Sequence, residues 1–304
     1  MAGGIMNRAA IAAELLPGLN SVFGLDYRSY PEEWRPVFQV ENSEKAYERD
    51  VLVTGFGAAQ IKAEGATTAT DSGSEAWMAV YNHITVALKF IITREALEDN
   101  LYMQMGAKYA KALARSFIQT KEIQGASILN NGFNSSYAIG DGQSLLSTAH
   151  PTVSGLSLSN QLATSADLSE TAIEDLVILI NTMKDDRGIP VVLNPKLLII
   201  PPQLVFTAER ILKSRNRPGT ADNDVNAINN MGIFSADAHQ MRRLTSTTNW
   251  FIKTDALDGL KHFNRVGMQK KLWDDEDTDN FVYKCRERYS FGVTDWRGVF
   301  GSGS

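Results

Sequence analysis

The chain carries one cysteine, Cys285, in 304 residues. An internal disulfide cannot form, and a cysteine-rich zinc site is excluded. Glycine and proline, at 23 and 9 residues, make up only about a tenth of the chain, so it is neither collagen-like nor broadly disordered. Histidine is scarcer still. His83, His150, His239 and His262 lie far apart, with no pair at i+3 or i+4, so no zinc or nucleophile–histidine constellation is written locally. Long apolar runs are missing. The densest stretch, Val191 to Phe206, holds Asn194, Lys196 and two adjacent prolines, whereas a membrane-spanning helix needs roughly 20 mostly apolar residues. Near the N-terminus, Ile11 to Leu16 is interrupted by Glu14 and preceded only by Arg8, which does not read as a signal peptide. The protein is therefore expected to remain in the cytoplasm where it is made. A basic excess is absent too: net charge is −5, which argues against a dedicated DNA-binding protein.

What remains is an ordinary globular composition, 43% hydrophobic and 21% charged, long enough for one or two domains with a buried core. A short amphipathic helix is predicted over about Met6 to Leu16, ended by Pro17-Gly18. Phe23, Tyr27, Tyr30, Trp34 and Phe38 then cluster around Pro31 and Pro36, as an extended arm that needs a surface to lie against. Residues Ala63 to Gly73 are small and polar and read as a mobile loop. A strand pattern flanks it on each side. Val51 and Val53 alternate before it, and Ile84, Val86, Leu88, Phe90 and Ile92 fall at strict period two after it. Together they predict a long two-stranded excursion, too thin to be stable unless it packs on another chain.

Thr93 is placed to cap a helix from about Arg94 to Leu129. Leu97, Leu101, Met105, Tyr109, Leu113 and Phe117 recur every four residues, with Ala110, Ala114 and Ile118 widening the stripe. At 1.5 Å per residue this spine would run roughly 50 Å. Asn130 to Leu168 is irregular. A second helix is expected from Ser169 to about Asp186, stopped by Gly188. Then come a strand at Lys196 to Ile200, a helix at about Gln203 to Ser214, a polar loop at Arg215 to Asn230, strands at Trp250 to Lys253 and Gly259 to Gln269, and a long closing strand through Phe281, Tyr283, Cys285, Tyr289, Phe291 and Val293.

Chemistry-bearing motifs are weak. Gly55-Phe-Gly57 lacks the third glycine and the helix of a dinucleotide fingerprint and reads as a bend. Ser147 and His150 are close in sequence without triad geometry, and His150-Pro151 fits a turn. A hydrolase using Ser147 and His150 is the remote alternative. Cys285, alternating with aromatics, reads as a core thiol. Asp274, Asp275, Glu276, Asp277 and Asp279 lack calcium-loop spacing and read as a solvated turn. Arg210, Lys213, Arg215 and Arg217 form a local basic patch. No catalytic, cofactor-binding or metal residue is assigned. The arm, hairpin and spine each expose surface that a monomer would struggle to bury, which points to assembly.

The tail Asp279-Asn-Phe-Val-Tyr-Lys-Cys-Arg-Glu-Arg-Tyr-Ser-Phe-Gly-Val-Thr-Asp-Trp-Arg-Gly-Val-Phe-Gly-Ser302 resembles the Mu-like prophage major head subunit family, within the tailed-phage major capsid proteins. Leu145-Leu-Ser-Thr-Ala-His-Pro151 and Asn194-Pro-Lys-Leu-Leu-Ile-Ile-Pro201 are similar to the family as well. The likeness covers nearly the whole chain. It implies an α+β capsid fold with an N-terminal arm (1–45), an extended loop (46–93), a peripheral domain with the spine helix (94–165 and 260–304) and an axial α/β domain (166–259). It implies a non-enzymatic, self-assembling subunit forming hexamers and pentamers of an icosahedral shell around double-stranded DNA. The shell would be assembled in the host bacterial cytoplasm and found in the virion. A separate scaffold protein, a portal and a decoration protein are the implied partners, with no cofactor and no membrane. A bacterial nanocompartment shell shares the fold and is the alternative. Phe23, Tyr27, Tyr30, Trp34, Phe56, Lys62, Trp77, Arg210 and Arg217 are the expected subunit-interface residues.

Overall fold

The computed structural model describes residues 20–303 apart from 28, 94, 96–101, 217–223, 235–236, 276 and 279. The helix expected over residues 6–16, the Thr93 cap's first turn and Arg217 lie outside the described residues.

Two four-stranded sheets organise the chain. The first follows the order β1 (Gln39–Asn42), β10 (Leu260–Asp274), β11 (Phe281–Val293) and β4 (Ile84–Ile92). Its period-two patterns explain it. On β11, Phe281, Tyr283, Cys285, Glu287 and Tyr289 all point to one face and are buried. That face lies under the spine helix α1 (Tyr102–Asn130), which buries Ala110, Leu113, Ala114 and Phe117 against Tyr283, Cys285 and Phe23. Four buried positions spaced three or four apart are what a helix needs to present one stripe. Tyr109, expected in that stripe, is 47% exposed instead.

The second sheet runs β12 (Val299–Ser302), β9 (Trp250–Thr254), β7 (Pro195–Ile200) and β8 (His239–Gln240). Helix α2 (Glu170–Asn181) covers it with Ile173, Leu176 and Ile180, and α3 (Val205–Lys213) adds Ala208 and Ile211. Ser169 caps α2 as expected, its side chain accepting from the Ala172 amide at 3.2 Å. The helix stops at Asn181 rather than near Asp186. Asp185 and Ile189 pair across a tight turn whose Gly188 takes φ +82°, so the chain has already reversed there. Between α1 and α2, β5 (His150–Pro151) pairs with β6 (Ser157–Leu158). The polar stretch after α3 contains a short helix, α4 (Ala227–Met231), capped by the Asn226 side chain.

Two expectations are corrected. The 51–55 run does not pair with 84–92: β2 (Tyr47–Thr54) pairs with β3 (Ser74–Asn82), and β4 pairs with β11. β4 is separated from β3 only by His83, so one apolar stretch serves two sheets. β12 pairs with β9, so the second sheet takes its last strand from the C-terminal end of the chain. Finally, the aromatic segment is no extended arm in its first half. Residues 20–27 are helical, and Trp34, Val37 and Phe38 enter the main core.

Candidate assembly surfaces

The titratable groups singled out in the sequence are structural. His150 is fully buried, its ring stacked on Trp296 at 4.3 Å. Its Nδ1 lies 2.6 Å from Asp141 Oδ2 and its Nε2 3.1 Å from Asn160 Oδ1. Asn160 donates through Nδ2 to the carbonyls of Leu145 (2.7 Å) and Val299 (3.1 Å), which leaves Oδ1 as acceptor for His150 and for the Ser147 amide. The imidazole therefore bonds two oxygens and none belongs to the Ser147 side chain. That hydroxyl accepts from the Ala149 amide. Cys285 is buried, and burial pushes its thiol up to about 11, away from thiolate chemistry. In the acidic turn, Asp275 bonds the Thr278 hydroxyl. Among the described residues no group of three or more His, Cys, Asp or Glu could hold a metal ion, and no helix is long and apolar enough to cross a membrane.

The predicted interface residues divide. Phe23 and Trp34 are corrected: at 0% and 4% exposure they are core residues and have no area to offer a neighbour. Phe23 stacks on Tyr27 and meets Phe117 edge-on, while Trp34 packs on His262. Tyr27 and Tyr30 are half-buried. Tyr27 donates to Glu287, and Tyr30 carries the Arg115 guanidinium over its ring. Trp77 is half-buried on β3 with its indole nitrogen unpartnered. Phe56, Lys62 and a wholly exposed Ile61 lie on the loop between β2 and β3, close after an exposed Val53 at the end of β2. Arg210 is exposed on α3, one turn after the equally exposed Phe206. The loop is fastened at one point. Asp71 accepts from the Gly57 amide at 2.6 Å and pairs with Arg187, which also donates to the Ser72 carbonyl.

Sequence reasoning missed two surfaces. β4 is an open sheet edge bearing Ile84, Leu88 and Ile91, all at least 39% exposed. A bare apolar edge invites pairing with another chain. The second is a mainly apolar groove of about 550 Å³ between β3, the end of α1 and residues 137–140, lined by Met78, Val80, Ile128, Tyr137 and Ile139. The period-two run foretold the strand; only its position at the sheet margin makes it a surface.

A buried carboxylate fixes the segment around Trp34 to the spine. Glu122 on α1 accepts from the amides of Glu33 (2.8 Å) and Trp34 (3.1 Å). Glu33 in turn takes the Arg242 amide and guanidinium, with Arg243 at 3.8 Å. Burial and the Glu33 carboxylate push Glu122 up to about 7. A carboxylate raised in the folded state adds stability that is complete below its unfolded value and is lost as pH rises through about 7. His262, pushed down to about 3 by burial, works the other way below pH 6.5. Comparison with Glu122→Gln isolates the carboxylate. Between pH 8 and 5.5 the wild type should gain roughly 2 kcal/mol on the variant in urea titrations. A difference that stays constant over that range would refute the assignment.

Comparison with known proteins then decides the family. The family described as phage capsid protein matches residues 78–301, which span the spine, the second sheet, the first sheet except β1, and part of the hairpin's second strand. The chain belongs to the phage capsid protein family. It is a capsid shell protein, a structural component of the virion capsid rather than an enzyme. No curated protein matches it in sequence. Among solved structures, this capsid protein is similar to a chain of the procapsid of bacteriophage JBD30, at 15% identity and a TM-score of 0.55, covering 98% of this chain and 76% of that one. It is also similar to the virus-like particle from Pyrococcus furiosus, at 11% identity and a TM-score of 0.53, covering 95% and 100%. A capsid chain of the empty GTA particle matches at 14% identity and a TM-score of 0.53, covering 88% of each. Identities this low show the shared capsid fold and nothing finer.

Proposed function

We propose that this capsid protein builds hexamers and pentamers of an icosahedral shell that encloses double-stranded DNA, and that it is of the Mu-like kind its tail resembles. Assembly takes place in the host cytoplasm with a separate scaffold protein, a portal and, on some shells, a decoration protein. The four-part division into arm (1–45), loop (46–93), peripheral domain (94–165 and 260–304) and axial domain (166–259) is part of the same reading. So is the use of Tyr27, Tyr30, Phe56, Lys62, Trp77, Arg210 and Arg217 at contacts between copies.

One observation carries it: the β2–β3 hairpin ends in a loop whose large side chains, Phe56 and Ile61, face solvent in the single chain. Such residues gain free energy only when another surface covers them, about 25 cal/mol per Å² of apolar area buried. Closed symmetry then makes many weak contacts cooperative. Excising residues 58–70, with two glycines joining Gly57 to Asp71, tests this. The subunit should keep its circular dichroism spectrum and Tm yet form no closed particles by negative-stain microscopy. Normal shells from the shortened chain would defeat the reading.

A further inference from the structure

The face of the first sheet that turns away from α1 is basic. Register places Lys89 of β4 beside Lys284 of β11, and Lys284 beside Lys271 of β10, so three ammonium groups run across three strands. One step along, Arg286 lies between Ala87 and Gln269; the next position holds Arg288. No acid stands at these alternating positions. Lys89, Lys271, Lys284 and Arg286 are exposed, and no carboxylate among the described residues pairs with them. Arg288 and Arg265 are tied to the root of the hairpin, donating to the carbonyls of Ala46 (3.3 Å) and Lys45 (2.9 Å). Like charges directly opposite one another destabilise a sheet. A chain of net charge −5 has nonetheless gathered cations here.

The complement is on the same molecule. The turn joining β10 to β11 carries Asp275 and Asp277, and no cation among the described residues pairs with either. Several acids elsewhere are already matched within the chain: Glu48 by Lys45, Asp50 by Lys261, Asp71 by Arg187. The turn cannot serve its own sheet face. It sits at the ribbon's end, and Lys284 is three residues in from the closing Asp274–Phe281 pair, roughly 10 Å along the strand. We propose that the acidic turn between β10 and β11 of one copy docks on the basic sheet face, centred on Lys284 and Arg286, of a second copy. The contact rests on the shell-subunit reading. It is heterologous, so it propagates from copy to copy and closes into rings. Exposed charge pairs of this kind set partner choice and association rate more than raw affinity.

Charge reversal tests it. Lys284→Glu with Arg286→Glu removes the lysine row's central repulsion, so the subunit should keep its Tm, while particle yield should fall about tenfold or more. Asp275→Lys with Asp277→Lys should do the same. The quadruple variant, with both charges exchanged, should recover most of the yield, and added salt should weaken only the wild type and the quadruple variant. Wild-type yield from either double variant, or no recovery in the folded quadruple variant, would overturn the proposal. So would a face variant that assembles normally but loses binding to a short DNA duplex, which would make the face a nucleic-acid surface. Zero-length carbodiimide coupling of differently tagged wild-type copies separates this contact from the shell itself. A Lys284–Asp277 bridge between copies supports the contact even where no shell closes, and its absence at assembling concentrations counts against it.

Discussion

Trp34→Ala should destabilise the subunit itself rather than loosen a contact between copies. Trp34 is 4% exposed. Its ring packs on His262 at 4.4 Å and meets Phe291 edge-on at 5.4 Å, with the Lys121 ammonium 5.4 Å above it. The spine comes so close that a Cβ at Gly125 would sit 2.9 Å from Trp34 Cβ, so the helix has no slack with which to fill the space. Removing a buried tryptophan costs about 3–5 kcal/mol when the surroundings cannot collapse. Here the cavity would also open beside His262, whose two ring nitrogens have no hydrogen-bond partner among the described residues. Tm should fall on the order of 10 °C. A variant with wild-type Tm that fails only to assemble would return Trp34 to the arm surface that its sequence context suggested.

Asn160→Ala should be comparably severe, for a polar reason. One buried side chain satisfies the Leu145 and Val299 carbonyls, the Ser147 amide and His150 Nε2. Its own backbone receives the Gly301 amide at 3.1 Å. It pins the irregular stretch after α1 to the last strand of the second sheet. Each buried group left without a partner costs about 1–3 kcal/mol, so the sum is roughly 3–5 kcal/mol after partial relaxation. Asn160→Asp should fare no better, since a carboxylate oxygen would replace the donor facing two carbonyls. Urea denaturation gives the loss, and limited proteolysis should cut within residues 131–166 first. A cost below about 1 kcal/mol would show that water replaces the side chain.

The elements legible in the sequence are those whose signal is local. β4 announced itself by strict alternation, α1 by its four-residue repeat, and α2 by Ser169. Pairing was not legible. β2 and β4 looked like partners because each alternates, yet β4 finds its complement nearly two hundred residues on, in β11. Trp34 looked like arm surface because prolines flank it, and only Glu122 reaching across from the spine shows why that segment is fixed. Exposure of Phe56 and Lys62 followed from the small, polar loop around them. The basic face was invisible, because Lys89, Lys271 and Lys284 become neighbours only through register.

The crossing of β12 into the second sheet has a consequence in time. Val299 to Ser302 pair with β9, and Asn160 closes on Val299. Neither the second sheet nor the stretch after α1 can be finished until residues 296–302 have left the ribosome. Contacts of such long sequence separation form late and slowly. A nascent chain thus lacks the completed shape that another copy would recognise, and shell building waits for whole subunits.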